Sequence, residues 1–411
     1  MRKSDSPKIF YGWFVVLGGF LAMLSGGILF SYGVFFDAIR IEFGWSYTTT
    51  SSIHSITLVM ALIFTLMWGP LIDRYGSTPA LIVAAIAIGL GLYLSSLSQN
   101  LWQFYLYRAI GCIGASTMTV SLSVVQKWFV ERRGLVVSIV IAGVGVGQFT
   151  FPILSEVLIT GYGWRTALAC LGIINTIIIM ISAYLIVDEP QKKGLSPYGG
   201  KQEEISESGR STNETREQGQ EPALREILKS TVFIAIIVYN ILTVIPVHIV
   251  YVHLVPYVIK SDIAPLAKAG IVLSVIGGLS IVGRLVFGAI TPNISGWRMG
   301  LVICSVLCGI AMLWLSVSHS FWMVFVFAII YGIFQGGRTP LVPGVIGTYF
   351  GNSNLASLIA ISSASMILGA AIGPVVAGYI CDVTGSYYLA FIVGAISYFL
   401  GASTVIKIHQ P

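Results

Sequence analysis

The run IVLSVIGGLSIVGRLVFGAI, residues 271–290, decides what kind of protein this chain forms. Arg284 is its single charged residue, and about 20 apolar residues in a helix span the hydrocarbon layer of a bilayer. A guanidinium inside that layer is costly unless it faces a cavity, a partner or a ligand. Because arginine stays protonated and its planar fork matches a carboxylate, this run predicts an anion site inside a membrane.

The rest of the chain has the composition of a protein that crosses a membrane many times. Its 411 residues are 56% hydrophobic and 10% charged, which excludes a soluble domain with a hydrated surface. Charges, glycines and prolines divide the sequence into about twelve apolar segments, and an even number of crossings places both termini on one side. The predicted crossings lie near residues 11–37, 46–72, 79–98, 101–127, 134–159, 164–187, 228–260, 267–291, 297–318, 321–349, 354–381 and 385–407.

The basic residues predict the orientation of these crossings. If the N-terminus is cytoplasmic, sixteen of the 23 lysines and arginines lie on the cytoplasmic side and four on the other, as the positive-inside rule requires. Arg108, Arg284 and Arg338 remain inside the layer. We therefore expect a multi-pass protein of the cell inner (plasma) membrane with both termini in the cytoplasm. This bias also explains the net charge of +6 without a nucleic-acid partner.

A polar stretch, Gln191–Glu221, separates two halves of the chain. It has few aliphatic residues and mixed charges, so it cannot bury enough surface to fold alone. We predict an N-terminal six-helix bundle over residues 1–188, a cytoplasmic linker over 189–227 and a C-terminal six-helix bundle over 228–411. Two six-helix repeats with a long central loop favour a substrate site between the halves, near the middle of the membrane.

Catalytic and metal sites are not indicated by the sequence. The five cysteines lie within apolar stretches and show no metal-ligand spacing with histidine, and no nucleophile and base cluster together in the sequence. The sequence therefore predicts neither an enzyme nor a cofactor.

Several motifs together resemble the major facilitator superfamily. GPLIDRYG (69–76) resembles its loop motif G-x-x-x-D-R-x-G, and RAIGCIG (108–114) resembles the arginine and glycine motif of its fourth helix. Within the superfamily, residues 11–36 and KWFVERRGLVVSIVIAGVGVG (127–147) resemble signatures of the monocarboxylate transporter family. The resemblance implies an all-α membrane protein, with twelve transmembrane helices in two six-helix bundles around a central cavity.

The resemblance also assigns a role to Arg284. HLVPY (253–257) and GRLVFG (283–288) resemble bacterial members and place Arg284 at the family's substrate-binding arginine of the eighth helix. Animal members carry an aspartate four residues earlier, where this chain has Ser280, and a lysine in the segment that corresponds to Leu29–Ser31. The resemblance therefore implies carboxylate binding by Arg284, but not the proton pathway of the animal proteins.

Other polar side chains of the predicted helices complete the candidate site. His253 is the first candidate for proton coupling, or for gating the outer mouth, because histidine titrates near neutrality. His248 is a weaker candidate on another face of the same helix, and we expect His54 near the outer boundary. The predicted substrate contacts beside Arg284 are Tyr32, Asn240, Tyr331 and Gln335, and the further candidates for proton coupling or gating are Asp37, Asp73, Arg74 and Arg108.

Together these features predict a secondary carrier whose partners are a small organic anion, a proton and the lipid bilayer. The first hypothesis is proton-coupled symport of a small monocarboxylate such as lactate or pyruvate. An organic-anion exchanger of the oxalate–formate type is the alternative. A membrane sensor that binds its ligand without carrying it is a third hypothesis. The sequence leaves the oligomeric state open, and we expect one chain to be the functional unit.

Overall fold

The computed structural model describes residues 10–199, 224–290, 294–350 and 355–406, and the regular elements of these residues are helices. Short 3-10 helices at Gly27–Ser31 and Pro190–Lys193 accompany fourteen α-helices. The α-helices are α1 (Gly12–Gly26), α2 (Tyr32–Phe43), α3 (Tyr47–Tyr75), α4 (Ser77–Ser96), α5 (Leu101–Cys112), α6 (Thr117–Trp128), α7 (Arg133–Leu185), α8 (Leu224–Lys229), α9 (Thr231–Lys260), α10 (Leu266–Ile290), α11 (Ile294–Ser316), α12 (Phe321–Phe350), α13 (Leu355–Thr384) and α14 (Tyr388–Ile406).

These helices make twelve membrane crossings. Eleven helical stretches within the described residues are long and apolar enough to cross a membrane. One of them, Gly134–Leu185, has 52 residues, more than twice the length that a bilayer requires. Its backbone leaves helical geometry at Gly163, where φ is 79°, a value that glycine adopts without strain. Helix α7 therefore supplies the fifth and sixth crossings, and the predicted twelve-helix membrane fold is confirmed.

The first crossing is interrupted where two helices approach closely. The 3-10 turn Gly27–Ser31 joins α1 to α2 and brings Gly27 against α7. A Cβ atom on Gly27 would lie 2.4 Å from the backbone carbon of Gly147, so a side chain at either position would separate the helices. This contact holds the start of α2, and with it Tyr32, at a fixed depth in the bundle.

The helices form two groups that follow the order of the chain. In the first half, α7 packs against α1 and α4. In the second half, α12 packs against α10 and α11, and α9 packs against α13 and α14. The predicted bundle boundaries at residues 188 and 228 remain a prediction, because residues 200–223 of the predicted linker lie outside the described residues.

Among the described residues, the halves meet mainly where α3 packs against α13, α7 against α10 and α2 against α9. We call the end of the bundle near residues 10 and 406 the terminal end, and the opposite end the distal end. Most side chains of α3 from residue 50 to 58 are buried, whereas Trp68 is the single buried side chain between residues 59 and 71, all of which are described. This pattern indicates halves that meet at the distal end and part toward the terminal end.

Candidate substrate-binding site

Arg284 lies on α10 where this helix faces α7, and much of its guanidinium has no partner. Nη2 donates a long hydrogen bond of 3.4 Å to Oε1 of Gln148. Nε and Nη1 are buried without a hydrogen-bond partner among the described residues. None of the ion pairs between described residues includes Arg284. Since an unpaired buried charge is costly, these two donors are the strongest indication of a ligand in the part of the chain that the structure describes.

The position four residues before Arg284, where this chain has Ser280 instead of an aspartate, is surrounded by neutral groups. Ser280 donates to the carbonyl oxygen of Gly277 at 2.7 Å and lies 3.3 Å from Oε1 of Gln148. Gly277 allows this approach, because a Cβ atom there would lie 2.5 Å from the backbone of Gln148. Gln148 of the first half therefore contacts both Ser280 and Arg284 of the second half. Its amide is neutral, so it leaves the positive charge of Arg284 uncompensated.

Tyr251 on α9 is a second unsatisfied group at this place. Its hydroxyl is buried and has no hydrogen-bond partner among the described residues, and it interacts electrostatically with Arg284. Phe30 packs edge-on against its ring at 4.6 Å between centroids. A tyrosine hydroxyl donates readily to a carboxylate. We call Arg284, Tyr251, Gln148 and Ser280 the arginine site.

Sequence reasoning did not identify Tyr251. The chain contains 19 tyrosines, and no local pattern distinguishes this one from those that pack in the core. What marks it is an unsatisfied hydroxyl beside a charge on another helix, which becomes visible only in the folded protein.

Three predicted substrate contacts lie within the second half. The hydroxyl of Tyr331 shares a hydrogen bond of 2.9 Å with that of Tyr398. Asn240 donates through Nδ2 to Oγ of Ser362 at 2.7 Å. The side-chain oxygens of Asn240 and Gln335 are buried without a partner among the described residues. Tyr331 is thus engaged by its own half, whereas Asn240 and Gln335 each keep an acceptor free.

Tyr32 and Arg108 come together in the first half. They line a cavity of about 10 Å³ with His54, which is about the volume that one water molecule needs. The guanidinium of Arg108 lies 5.8 Å from the centroid of the Tyr32 ring, and its Nε has no partner among the described residues. The Tyr32 hydroxyl donates to the carbonyl oxygen of Thr50 at 2.6 Å. Arg108 is therefore a second uncompensated charge in the membrane.

A pair of histidines bridges the two halves. Nε2 of His54 on α3 lies 3.0 Å from Nδ1 of His248 on α9, and both residues are buried. Arg338 of the second half acts on His248 electrostatically, while its Nη1 donates to Oγ1 of Thr243 at 2.6 Å. Sequence reasoning ranked His248 as a weaker candidate and expected His54 near the outer boundary, because residues 194 positions apart carry no sign of their contact.

His253 has a fully hydrogen-bonded setting nearer the distal end. Its Nε2 lies 2.8 Å from the carbonyl oxygen of Pro374 and 3.1 Å from Oγ of Ser51, and its Nδ1 lies 3.1 Å from the hydroxyl of Tyr387. Because a carbonyl oxygen accepts, Nε2 donates to Pro374, and in the neutral ring Nδ1 accepts from Tyr387. His253 therefore ties α9 to α3 and α13.

Asp382 of the second half caps the first turn of α3. Its carboxylate accepts hydrogen bonds from the backbone N–H groups of Tyr47 and Thr48, both at 2.8 Å, and from Oγ1 of Thr48 at 2.6 Å. A carboxylate at a helix N-terminus is stabilised by the unpaired N–H groups and the helix dipole. We call Asp382, Tyr47, Thr48, Ser51 and His253 the distal latch. Asp382 was not among the residues that the sequence singled out.

The other predicted gating residues lie near the ends of the helices. Asp37 forms an ion pair of 3.0 Å with Arg40 on α2. Arg74 is exposed at the terminal end, and its guanidinium lies 5.3 Å from the centroid of the Tyr75 ring. The side chain of Asp73 lies outside the described residues.

A further capping carboxylate lies at the terminal end, within the first half. Asp188 accepts hydrogen bonds of 2.8 Å from the backbone N–H of Ser77, at the start of α4, and from Nζ of Lys192. Burial alone would raise the pKa of Asp188, but the hydrogen bonds and the charge of Lys192 outweigh it, so its pKa lies below the usual value. This carboxylate fixes the loop that follows α3 to the end of α7.

Comparison with known proteins agrees with the helical architecture. A family model described as Major Facilitator Superfamily matches residues 15–311 and 297–410. The chain belongs to this superfamily. It is therefore a multi-pass membrane transporter and not an enzyme, and the resemblance found in the motifs is confirmed.

Similar superfamily members include proteins named for monocarboxylates. Monocarboxylate transporter 13 of Rattus norvegicus is 26% identical over 415 residues, which cover 99% of this chain and 91% of the relative. Monocarboxylate transporter 12 of Mus musculus is 25% identical over 413 residues, which cover 95% of this chain and 83% of the relative. A crystal structure of a bacterial homologue of the human lysosomal transporter Spinster, inward-facing and unoccupied, has a TM-score of 0.72 at 15% identity and covers 98% of this chain and 99% of its own. This last likeness shows the superfamily fold.

The contacts between the halves of this superfamily member describe one state of the transporter. The distal latch and the histidine pair hold the halves together from the distal end to the middle of the bundle. Two helical bundles of a transporter expose a site to alternate sides when they rock about it. The structure therefore corresponds to the state that is closed at the distal end.

Proposed function

We propose that the protein is a secondary carrier of small monocarboxylates of the lactate and pyruvate class, which it moves together with a proton by alternating access. The observation that carries this proposal is the guanidinium of Arg284, with Nε and Nη1 unsatisfied between the two halves. A carboxylate supplies the two acceptors and the negative charge that this group lacks. The names of the similar monocarboxylate transporters support the same substrate class.

In this proposal each end of the substrate has its own contacts. The carboxylate lies between Arg284 and the hydroxyl of Tyr251, which offers a further donor. The free oxygens of Asn240 and Gln335 accept from a substrate hydroxyl such as that of lactate, and Tyr32 and Tyr331 narrow the path on either side. One chain supplies both halves of the site, so we propose the monomer as the functional unit.

The transport cycle follows from the proposed orientation. With the terminal end in the cytoplasm of the plasma membrane, as the basic residues favour, the structure is open toward the cytoplasm. The distal latch then closes the outer mouth, and the full hydrogen bonding of His253 favours gating as its role. Asp37 and Arg40 lie at the same mouth, whereas Arg74 lies at the inner end, where we propose that it gates the cytoplasmic side with Asp73.

Exchange of one organic anion for another is the second candidate function. Arg108, Arg284 and Arg338 have no acidic partner among the described residues. A site with permanent positive charge and no carboxylate can be neutralised equally well by an incoming or an outgoing anion. This observation favours exchange, because an anion that replaces another anion needs no proton to keep the charge of the site neutralised.

Reconstituted vesicles test the proposal. Purified protein in vesicles that contain a pH indicator and no carboxylate is exposed to an inward gradient of L-lactate, in the presence of valinomycin and potassium. We expect uptake of labelled lactate with acidification of the lumen, and loss of both in Arg284→Ala. Arg225→Ala, which changes an exposed arginine of α8, should leave both unchanged.

The outcome separates the candidate functions. Uptake that requires internal lactate or oxalate and leaves the lumen at constant pH would establish exchange. Binding of lactate without any flux would indicate a sensor. Unchanged uptake of every carboxylate by Arg284→Ala would exclude Arg284 as the anion receptor.

A further inference from the structure

The His54–His248 contact joins two ionisable side chains across the surface along which the halves must separate. The two ring nitrogens lie 3.0 Å apart, so one carries a proton and the other accepts it. The bond holds when the pair is neutral and when it carries one added proton on an outer nitrogen. Two added protons place a proton on both facing nitrogens, and the contact is lost. The geometry thus defines a site for a single proton.

The pair has ring nitrogens that can accept an added proton. Neither histidine makes another hydrogen bond with the described residues, so the outer nitrogen of each ring is free. His54 lines the cavity of about 10 Å³ that also contacts Tyr32 and Arg108, and a cavity of this size admits about one water molecule. His253, by contrast, has both ring nitrogens engaged by neighbouring groups.

The positive charges around the pair make its uptake of a proton depend on a bound anion. Arg108 acts on His54 from the first half, and Arg338 acts on His248 from the second. Further titratable groups near the pair among the described residues are His253 and Tyr251 on α9 and Tyr32, whose ring centroid lies 5.4 Å from that of His54. Asp382 acts on His253 rather than on the pair. With positive charge on both sides, an added proton is unfavourable until a negative charge arrives nearby.

The arginine site places that negative charge close by. Tyr251 lies three residues after His248 on α9, and side chains with this spacing lie on the same face of a helix. Phe30 touches both, at 6.0 Å from His248 and 4.6 Å from Tyr251 between ring centroids. A carboxylate held by Tyr251 and Arg284 therefore lies about one helical turn from the histidine pair. Attraction between the two bound charges makes the binding of each favour the other.

We propose that the His54–His248 pair is the proton site of the carrier and takes up one proton when a carboxylate binds to the arginine site. This inference rests on the proposed function and identifies the group that carries the coupled proton. In the loaded state the anion and the added proton compensate each other, and the halves separate with no net charge gained. Because the added proton lies on an outer nitrogen, the pair has its hydrogen bond in both the empty and the loaded distal-closed state, and the state that does not reorient is the half-loaded one, which has gained a net charge.

Calorimetry on the full chain in lipid nanodiscs tests the assignment, with L-lactate as the probe. Titrations at pH 7 in two buffers of different ionisation enthalpy give the number of protons taken up per lactate. We expect about one proton for the wild type, and a dissociation constant that rises about tenfold per pH unit as the pH increases. In His54→Gln and in His248→Gln, lactate still binds, but proton uptake and the pH dependence disappear. His319→Gln, which changes an exposed histidine of a distal loop, behaves as the wild type.

Counterflow of labelled lactate between vesicles and medium at equal pH reports folding and substrate passage independently of proton movement. The assignment stands if counterflow persists in at least one of the two glutamine variants while accumulation driven by a pH gradient is lost. It is overturned, with symport intact, if both variants still take up one proton per lactate, or if both lose counterflow as well. Wild-type protein that binds no lactate, or binds it without a proton, overturns the proposed symport together with this inference.

Discussion

The distal latch and the arginine site lie on the same interface between the same two halves, yet they treat their polar groups in opposite ways. In the latch, Asp382 accepts three hydrogen bonds and both ring nitrogens of His253 are engaged. In the arginine site, Arg284 has two unsatisfied donors and Tyr251 has an unsatisfied hydroxyl. One region is complete without a ligand, and the other is not.

This difference separates what holds a state from what responds to substrate. A satisfied polar network gives rigidity and specifies one arrangement. Unsatisfied buried donors raise the free energy of the empty protein, and a ligand that completes them recovers that free energy. The distal latch thus stabilises one state without substrate, whereas the arginine site is stabilised only when substrate binds. Changes to the two regions should therefore have distinguishable effects.

The largest effect is expected from Arg284→Lys, which keeps the charge but removes the planar fork. Loss of a charge-assisted bidentate contact costs about 3 kcal/mol, which corresponds to a dissociation constant for L-lactate that is raised about 100-fold. Thermal stabilisation of the detergent-solubilised protein by increasing lactate measures this constant. Arg225→Lys on the surface helix α8 is the control and should bind as the wild type. Equal affinity of Arg284→Lys would show that the charge alone matters and that the fork has no role.

The next largest effect is expected from Gly33→Ala, which should destabilise the distal-closed state. A Cβ atom at Gly33 would lie 2.5 Å from the carbonyl oxygen of Tyr251, so α2 and α9 cannot stay as close. Overpacking of this kind costs about 2 kcal/mol, or an about 30-fold shift away from the distal-closed state. Distances between spin labels at Gln99 and Ser320, in exposed distal loops of the two halves, should lengthen.

Gly26 provides a matched control for that prediction. It lies on the same crossing, and a Cβ atom there meets nothing within 4 Å. Gly26→Ala should leave the label distances unchanged. If both variants open the distal end equally, the effect comes from the helix and not from the contact with Tyr251.

The features that could be predicted from the sequence are those that are encoded locally. The twelve crossings follow from length and apolar composition, and Arg284 was identified because one charge in an apolar run is visible without any partner. Ser280 was recognised as a departure through the resemblance to a family whose animal members carry an aspartate at this position. Even the double crossing in α7 was predicted, since Gly163 lies between two apolar segments that are each long enough.

The partners of these residues could not be predicted in the same way. Gln148 meets Arg284 across 136 positions and His54 meets His248 across 194, and no local periodicity encodes such contacts. Asp382 was missed because an acid in the last turn of a helix usually faces water. Its function depends on the N-terminus of α3, a group of backbone donors that no side-chain motif marks.

A smaller effect is expected from Asp382→Asn, which weakens the latch but leaves the arginine site intact. The amide keeps one acceptor of the two and loses the charge, at a cost of about 1.5 kcal/mol. The distal-closed state should lose about tenfold in population, as measured by the same pair of spin labels, while lactate affinity changes little. Asp262→Asn is the control, because Asp262 is exposed in a distal loop at φ 53°, a conformation that asparagine also tolerates. A tenfold loss of lactate affinity in Asp382→Asn would mean that latch and site are not separable.

The smallest effect is expected far from both regions, at Asp188. Its pKa is lowered in the folded protein, so its contribution to stability is present above the ordinary aspartate pKa of about 3.9 and is lost as the pH falls through the lowered folded value. Because the carboxylate caps α4, Asp188→Asn should cost about 1 kcal/mol at neutral pH, and the difference from wild type should shrink below about pH 4.

Thermal unfolding between pH 7 and pH 3 measures this, with Glu226→Gln on the exposed face of α8 as the control. A difference that stays constant with pH would show that the side chain stabilises the loop by packing and not by its charge. A change in the distal label distances would show that the terminal end is coupled to the latch.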